Sequence, residues 1–544
     1  MKTRLFPAAS AIALATFSTP SLAQMQMPGM SMPMSSKPAA KTTASKKSAK
    51  RKAAGKHVKG RAANKNAEAH ARRAVAPSAA MRMQGGAMLM PAQPAPGGQM
   101  QMPMAAQPAP AGQMPMGPSQ ISQGTMTMPM PAQMNPGREM TMPMDAHPMA
   151  VMPMSHGGSM GGGAFGPYPG QREASGTAWQ PDSSEAMTGP MLMSSGWMAM
   201  AHASVNLVYD HQSGPRGDDK AFVSGMVMGM ARHPLGNGTV QFRAMLSPDP
   251  IMGPAGYPLL LATGETANGT TPLVDRQHPH DMLMELSASL SQNIGLKGSA
   301  FLYAGLPGEP AFGPPAFMHR ESIEDSPEAP ITHHWLDSTH ISFGVVTAGL
   351  VLDRFKIEAS RFNAREPDQH RWNIETGPLD STSVRLSWNP TRTLALQGSW
   401  AHFIDPEQLE PGVNQTRWSA SALWADDVAP GWHTAATLAW GRKSSEGHSD
   451  DGAAAEASLK HGGWTLFGRG EWVENRELLG LTPSPAYKVG KISLGAIRDV
   501  AIADHLSLGA GAVVSLNFVP NALAPLYGSH DPTGMMAFVR LKLD

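Results

Sequence analysis

Methionine recurs in this sequence at spacings of two and three: Met25, Met27, Met30, Met32 and Met34; Met81 and Met83; Met88 and Met90; Met100, Met102 and Met104; Met114 and Met116; Met126, Met128 and Met130; Met140, Met142 and Met144; Met149, Met152 and Met154. Of 41 methionines, 26 stand at or before Met160, so the thioethers are concentrated in one part of the chain. Thioether sulfur is a soft ligand that prefers Cu(I) or Ag(I). It has no proton to lose, and two or three sulfurs close in sequence can wrap one ion without a folded scaffold. His147 and His156 lie beside the last groups and add imidazole for Cu(II). The plainer reading is a low-complexity tail that tolerates a flexible apolar residue. Exposed methionine is oxidation-prone, which favours the metal reading.

Two further sets of ligands follow. Residues 197–209 alternate Trp197, Ala199, Ala201, Ala203, Val205, Leu207 and Tyr209 with Met198, Met200, His202, Ser204 and Asn206. Residues 222–232 set Met226, Met228 and Met230 against Val223, Gly225, Val227, Gly229 and Ala231. Period two marks strands with unlike faces. If the two runs are antiparallel neighbours, Met198 and Met200 stand beside Met228 and Met230 on one polar face. Packing by flexible side chains accounts for such a face; a soft-metal relay is the sharper reading. The third set is imidazole and carboxylate: His278, His280 and Asp281 in a His-Pro-His-Asp unit, then His319, Glu321, Glu324, Asp325, His333, His334, Asp337 and His340, then Glu366, Asp368 and His370. These suit Cu(II), Zn(II) or Ni(II), although their spacing matches no single metal motif and hydrogen-bonded loops are the plainer reading.

Other chemistry is excluded. With no cysteine, the chain has no disulfide, thiolate site or cysteine nucleophile. It has no phosphate-binding glycine loop, no G-x-S-x-G elbow and no zincin helix.

The elements that must position these ligands differ sharply along the chain. Lys2 and Arg4, the apolar stretch 6–17 and Ser21-Leu22-Ala23 read as a signal peptide over 1–23. Residues 24–175 are rich in methionine, proline, lysine and alanine and poor in aromatics, which predicts a disordered tail. Between Lys37 and Arg73 it carries thirteen Lys/Arg against Glu68 alone, so a basic tail joins an acidic body.

Residues 176–544 predict an all-β transmembrane antiparallel barrel of about 16 strands (14–16). Alternating runs are joined by short links near 233–238, 292–297, 351–354, 389–393, 425–431, 460–463 and 499–505. Between them come long links such as 247–279, 306–339 and 362–381. Barrels of the bacterial outer membrane alternate tight periplasmic turns with longer outer loops. Trp432 and Trp440 share one face of a run, as do Trp464 and Trp472, while Trp418 and Trp424 sit closer together. Eight residues rise roughly 26 Å along a strand, or about 20 Å vertically once tilted. Each of the first two pairs therefore places one indole at either edge of an apolar band.

Four stretches carry a resemblance: F-L-Y-A-G-L-P-G-E-P-A-F-G-P-P-A-F-M-H-R at 301–320, E-A-P-I-T-H-H-W-L-D-S-T-H-I-S-F-G at 328–344, R-E-P-D-Q-H-R at 365–371 and R-L-S-W-N-P at 385–390. They resemble a proteobacterial outer-membrane family of undetermined activity that is associated with copper handling. The likeness covers most of 180–544. The architecture also resembles the copper-resistance B outer-membrane proteins, which pair a Met-rich N-terminus with a barrel. No site residue carries over from either. The resemblance implies a non-enzymatic barrel of the Gram-negative outer membrane, its tail in the periplasm, that sequesters or passes copper. Cu(I) is expected at methionine and Cu(II) at histidine. Expected partners are outer-membrane lipid, with periplasmic copper proteins as candidates, and no nucleic acid; oligomeric state is left open. The alternatives are a porin-like channel for another solute and an outer-membrane enzyme using the loop His/Asp cluster.

Overall fold

The computed structural model describes residues 162–480 and 484–544. The expected signal peptide and the methionine groups from Met25 to Met160 lie outside the described residues.

Nineteen strands are described: β1 (Met191–Ser194), β2 (Trp197–Gln212), β3 (Asp219–Leu235), β4 (Gly238–Leu246), β5 (Tyr257–Thr266), β6 (Pro272–Gln277), β7 (Leu283–Ile294), β8 (Gly298–Gly305), β9 (Val345–Leu352), β10 (Phe355–Phe362), β11 (Ser381–Trp388), β12 (Leu394–Phe403), β13 (Gln415–Ala429), β14 (Trp432–Ser445), β15 (His448–His461), β16 (Trp464–Asn475), β17 (Tyr487–Ala503), β18 (Leu506–Phe518) and β19 (Thr533–Leu543). Sixteen of them, β2–β4 and β7–β19, pair antiparallel with their neighbours. The ladder closes where β19 meets β2, with Phe538 opposite Val208. Closure leaves no open edge, which is what a sheet needs in a solvent that offers no hydrogen bonds. β1 folds back on the start of β2, and β5 pairs only with β6 in a hairpin outside the wall.

Seven short links lie at one end, at 236–237, 295–297, 353–354, 389–393, 430–431, 462–463 and 504–505. These are the links the sequence indicates. At 462–463 both residues are glycines with positive φ (54° and 82°), as a two-residue hairpin turn requires. The other end carries 247–282, 306–344 and 363–380, again as expected, but also the two-residue link 446–447, so length does not alternate everywhere.

Alternation fixes the two faces of the wall. Along β10 every second residue is buried, and the buried set includes Lys356, Glu358 and Ser360. Phe355 and Ile357 face outward. Trp432 and Trp464 at the short-link end, and Trp418, Trp440 and Trp472 nearer the other, are all exposed outward. Apolar outer face, aromatic edges and charged interior together make this a membrane-spanning barrel. Among the described residues no helix is long and apolar enough to cross a membrane; the strands do so.

The lumen is filled. Its charged wall residues bind segments that enter it. From the short-link end, residues 162–186 run inside: Ser291 donates to the Ala164 carbonyl at 2.6 Å, Arg243 to Gly176 at 2.7 Å and Asn389 to Gln180 at 2.8 Å. Phe165, Tyr168 and Trp179 pack with Phe301, Val351 and Phe362 of the wall. The barrel domain was expected to begin at 176. Instead the chain is packed in the lumen from about Ala164, because the wall supplies donors to a glycine- and proline-rich segment that could build no core of its own. From the other end comes 306–344, where Glu328 bonds Lys491 at 2.5 Å and Ser493 at 2.6 Å.

Candidate functional site

Two ligand clusters stand inside the wall. The first is sulfur. Met200 on β2, Met226, Met228 and Met230 on β3, Met245 on β4 and Met284 on β7 form one buried cluster with Ile341 and Phe343. Met187 and Met318 are partly buried against it. Strand register explains the assembly: Met200 is opposite Met230, and Met228 is opposite both His202 and Met245. The expectation for Met198 needs correction. It is paired with Arg232, two residues along from the Met200–Met230 pair, and falls outside the buried sulfur cluster. His202 sits next to the cluster instead. Met230 stands five residues and Met226 nine residues from Leu235 at the end of β3, so the cluster reaches beyond the mouth into the wall. Met245 was legible in principle, since Gln241, Arg243 and Met245 are alternate buried residues of β4. Met187, Met284 and Met318 arrive from distant sequence and had no local signal.

The second cluster is imidazole. His278 and His280 follow β6, His333 and His334 open the short helix α1 (His333–Leu336), and His340 ends the next turn. Ring centroids of His333 and His340 are 5.2 Å apart, His280 and His340 5.1 Å, His333 and His334 5.6 Å, and His278 and His334 5.9 Å. Each ring except His334 has an acceptor beside it. His280 Nδ1 is 2.8 Å from Asp249 Oδ2, His333 Nδ1 2.8 Å from Asp337 Oδ1, His340 Nδ1 2.8 Å from the Asp337 carbonyl, and His278 Nε2 3.1 Å from Glu265 Oε1. His334 lies over Gly264, whose φ of 110° and lack of Cβ allow the ring to approach; an added Cβ would fall 1.7 Å from it. Burial holds His278, His334 and His340 well below the ordinary imidazole range, reinforced by Arg371, His333 and His280 respectively. These rings are therefore neutral and keep lone pairs. Asp281 is hydrogen-bonded by Arg371 at 3.2 Å and acts on His280 through charge alone. Among the described residues no three His, Asp or Glu side chains have metal-ligand spacing as they stand.

A chamber joins the clusters. A cavity of about 440 Å³ at the short-link end is lined by His202, Met187, Met226, Met318 and His319. A smaller one of about 70 Å³ shares Met226 and Met318 with it and reaches His278 and His280. Burial, helped by His202, pushes the His319 imidazole down to about 4.

No protein-family model and no curated protein sequence matches the chain. Among solved structures it is similar to OmpT, an outer-membrane protein of Vibrio cholerae, at 7% identity over 65% of this chain and all of that one, with TM-score 0.38. An anion-selective porin from Comamonas acidovorans gives 12% identity, 64% and 99% coverage and TM-score 0.36. OmpF of Salmonella typhi gives 11%, 65% and 100%, and 0.41. The membrane assignment rests on the closed ladder and its apolar outer face, and nothing about function is taken from these likenesses.

Proposed function

We propose that this is an outer-membrane copper-handling barrel, binding Cu(I) through thioethers in its lumen and in the methionine-rich sequence that precedes Gly162. The observation that carries the reading is the cluster of six buried methionines on four strands, bordered by a cavity. Soft, uncharged sulfur favours Cu(I) over the hard cations that carboxylates hold. The wall's other inward residues mix serine, arginine, lysine and glutamate with alanine, valine and phenylalanine, whereas the buried methionines among the described residues, Met536 apart, are gathered in this one cluster. The short-link end faces the periplasm by the usual orientation of such barrels, and the cavity beside the methionines, lined also by Glu185, Glu321, Asp325, Arg540 and Lys542, would open on that side.

A porin-like channel is the competing reading. The filled lumen argues against passive flow, because Phe165, Tyr168 and Trp179 from one end and 306–344 from the other occupy the space an open pore needs. The reading is non-enzymatic: copper would be bound and passed on without chemical change. The test is Cu(I) affinity of the intact barrel, measured by competition with a chromogenic chelator under reducing conditions. Submicromolar binding lost on replacing the lumen methionines by leucine supports the reading, and unchanged binding removes it.

A further inference from the structure

We propose that His280, His333 and His340 form a second metal site, a nitrogen site for a borderline divalent ion, of which Cu(II) would bind most tightly. It goes beyond the sulfur reading, and each can fail without the other.

The first argument is the state of the ring nitrogens. All three Nδ1 atoms face fixed acceptors at 2.8 Å: the Asp249 carboxylate, the Asp337 carboxylate and the Asp337 carbonyl. A ring that donates Nδ1–H to such a group carries its lone pair on Nε2, the arrangement that orients metal-binding histidines. The Nε2 atoms of His280 and His340 are both buried without a hydrogen-bond partner. A buried acceptor left unmatched is disfavoured, so two in one place call for an occupant.

The second argument is spacing. Zn–N bonds of about 2.0–2.1 Å put the centroids of two imidazoles on one tetrahedral ion roughly 5 Å apart. His280–His340 and His333–His340 stand at 5.1 and 5.2 Å, with planes inclined at 77° and 63°. The three rings lack ligand spacing as they stand; one ion shared by all three would require them to turn on their anchored Nδ1 atoms until the Nε2 atoms meet it.

The third argument is the surroundings. Phe317 packs against all three rings at 5.7–6.4 Å and closes the site on one side. The small cavity that reaches His280 is lined further down by Met226 and Met318, so His280 is open to approach from the thioether side.

The experiment uses the full-length barrel in detergent, loaded with copper(II) sulfate and freed of excess, read by electron paramagnetic resonance and by copper per barrel. The wild type is expected to show nitrogen superhyperfine coupling. His280→Gln with His340→Gln is expected to lose one Cu(II) per barrel. The fourfold change of Met200, Met226, Met228 and Met230 to leucine is expected to keep it. Equal Cu(II) and unchanged coupling in the double histidine variant overturn the proposal and place the bound ion elsewhere, the tail histidines included. If that variant fails to fold, Asp249→Asn decides, because it keeps the side chain's shape and weakens only the acceptor. A drop in Cu(II) affinity of about 10–100-fold is expected; no change overturns the site. Wild-type protein without nitrogen coupling overturns it outright.

Discussion

Arg320 and Glu456 form a two-pronged ion pair, Nη2 to Oε1 at 2.7 Å and Nε to Oε2 at 2.9 Å, with both side chains fully buried. It fastens the 306–344 loop to β15 and so fixes the segment that carries His333 and His340. Removing the acceptor leaves a guanidinium in the lumen with Asp337 as its one remaining carboxylate partner. Glu456→Ala is expected to destabilise the barrel by about 3–5 kcal/mol, measured by denaturant unfolding in lipid vesicles. A loss below about 1 kcal/mol, the range of a solvent-exposed pair, would mean that the loop is not held this way.

Leu438 lies on the outer face between Trp432 and Trp440, and its neighbour Ala439 points inward. Ala436, also on the outer face and midway between the two indoles, is the deepest position, and Ala436→Arg is expected to cost about 2–4 kcal/mol as a charge near the middle of the bilayer. Thr434→Arg, close to the short-link end, is expected to cost clearly less. Equal costs at the two depths would contradict the placement of the apolar band.

Sixteen-strand porins leave an aqueous channel. Here the lumen is occupied, so planar-bilayer recordings are expected to give a steady conductance about tenfold or more below an open barrel of that strand number. Porin-scale conductance would restore the channel reading.

An epitope inserted at 268–270, the exposed tip of the β5–β6 hairpin, is expected to be reached by antibody on intact cells. One inserted at 430–431 is expected to need a permeabilised outer membrane. The reverse pattern would invert the barrel and move the cavity beside the methionines to the outside.

The wall was legible because period two and the position of turns are local properties. Residues such as Gly462 and Gly463 mark a link whatever the strands around them do, and the outward tryptophans follow from alternation alone. The same logic put Met200, Met226, Met228 and Met230 on the inner face. It put Met198 there too, but the register, which neither strand records by itself, sets Met198 opposite Arg232 and outside the cluster. It failed for Met284 and Met318 because their neighbours come from other strands and loops. Residues 162–175 read as disordered tail because proline and glycine predict no core, yet Arg232, Ser291 and Ser299 of the wall supply the partners they lack. The imidazoles and Asp337 were found by type, but Asp281 was grouped with them through adjacency to His280, while Asp249, which orients the His280 ring, was set by the fold.

Copper(I) bound per barrel is the most direct measure of the central claim. Leucine fills nearly the space of methionine, and such swaps cost under about 1.5 kcal/mol each, so a barrel with Met200, Met226, Met228, Met230, Met245 and Met284 all changed to leucine is expected to fold, as heat-modifiable gel migration would check. With the tail unchanged, the account predicts at least one Cu(I) fewer per barrel than wild type and reduced copper tolerance of the cells. Wild-type Cu(I) content and wild-type tolerance in the folded variant would show that the lumen methionines only fill space, and would contradict the account.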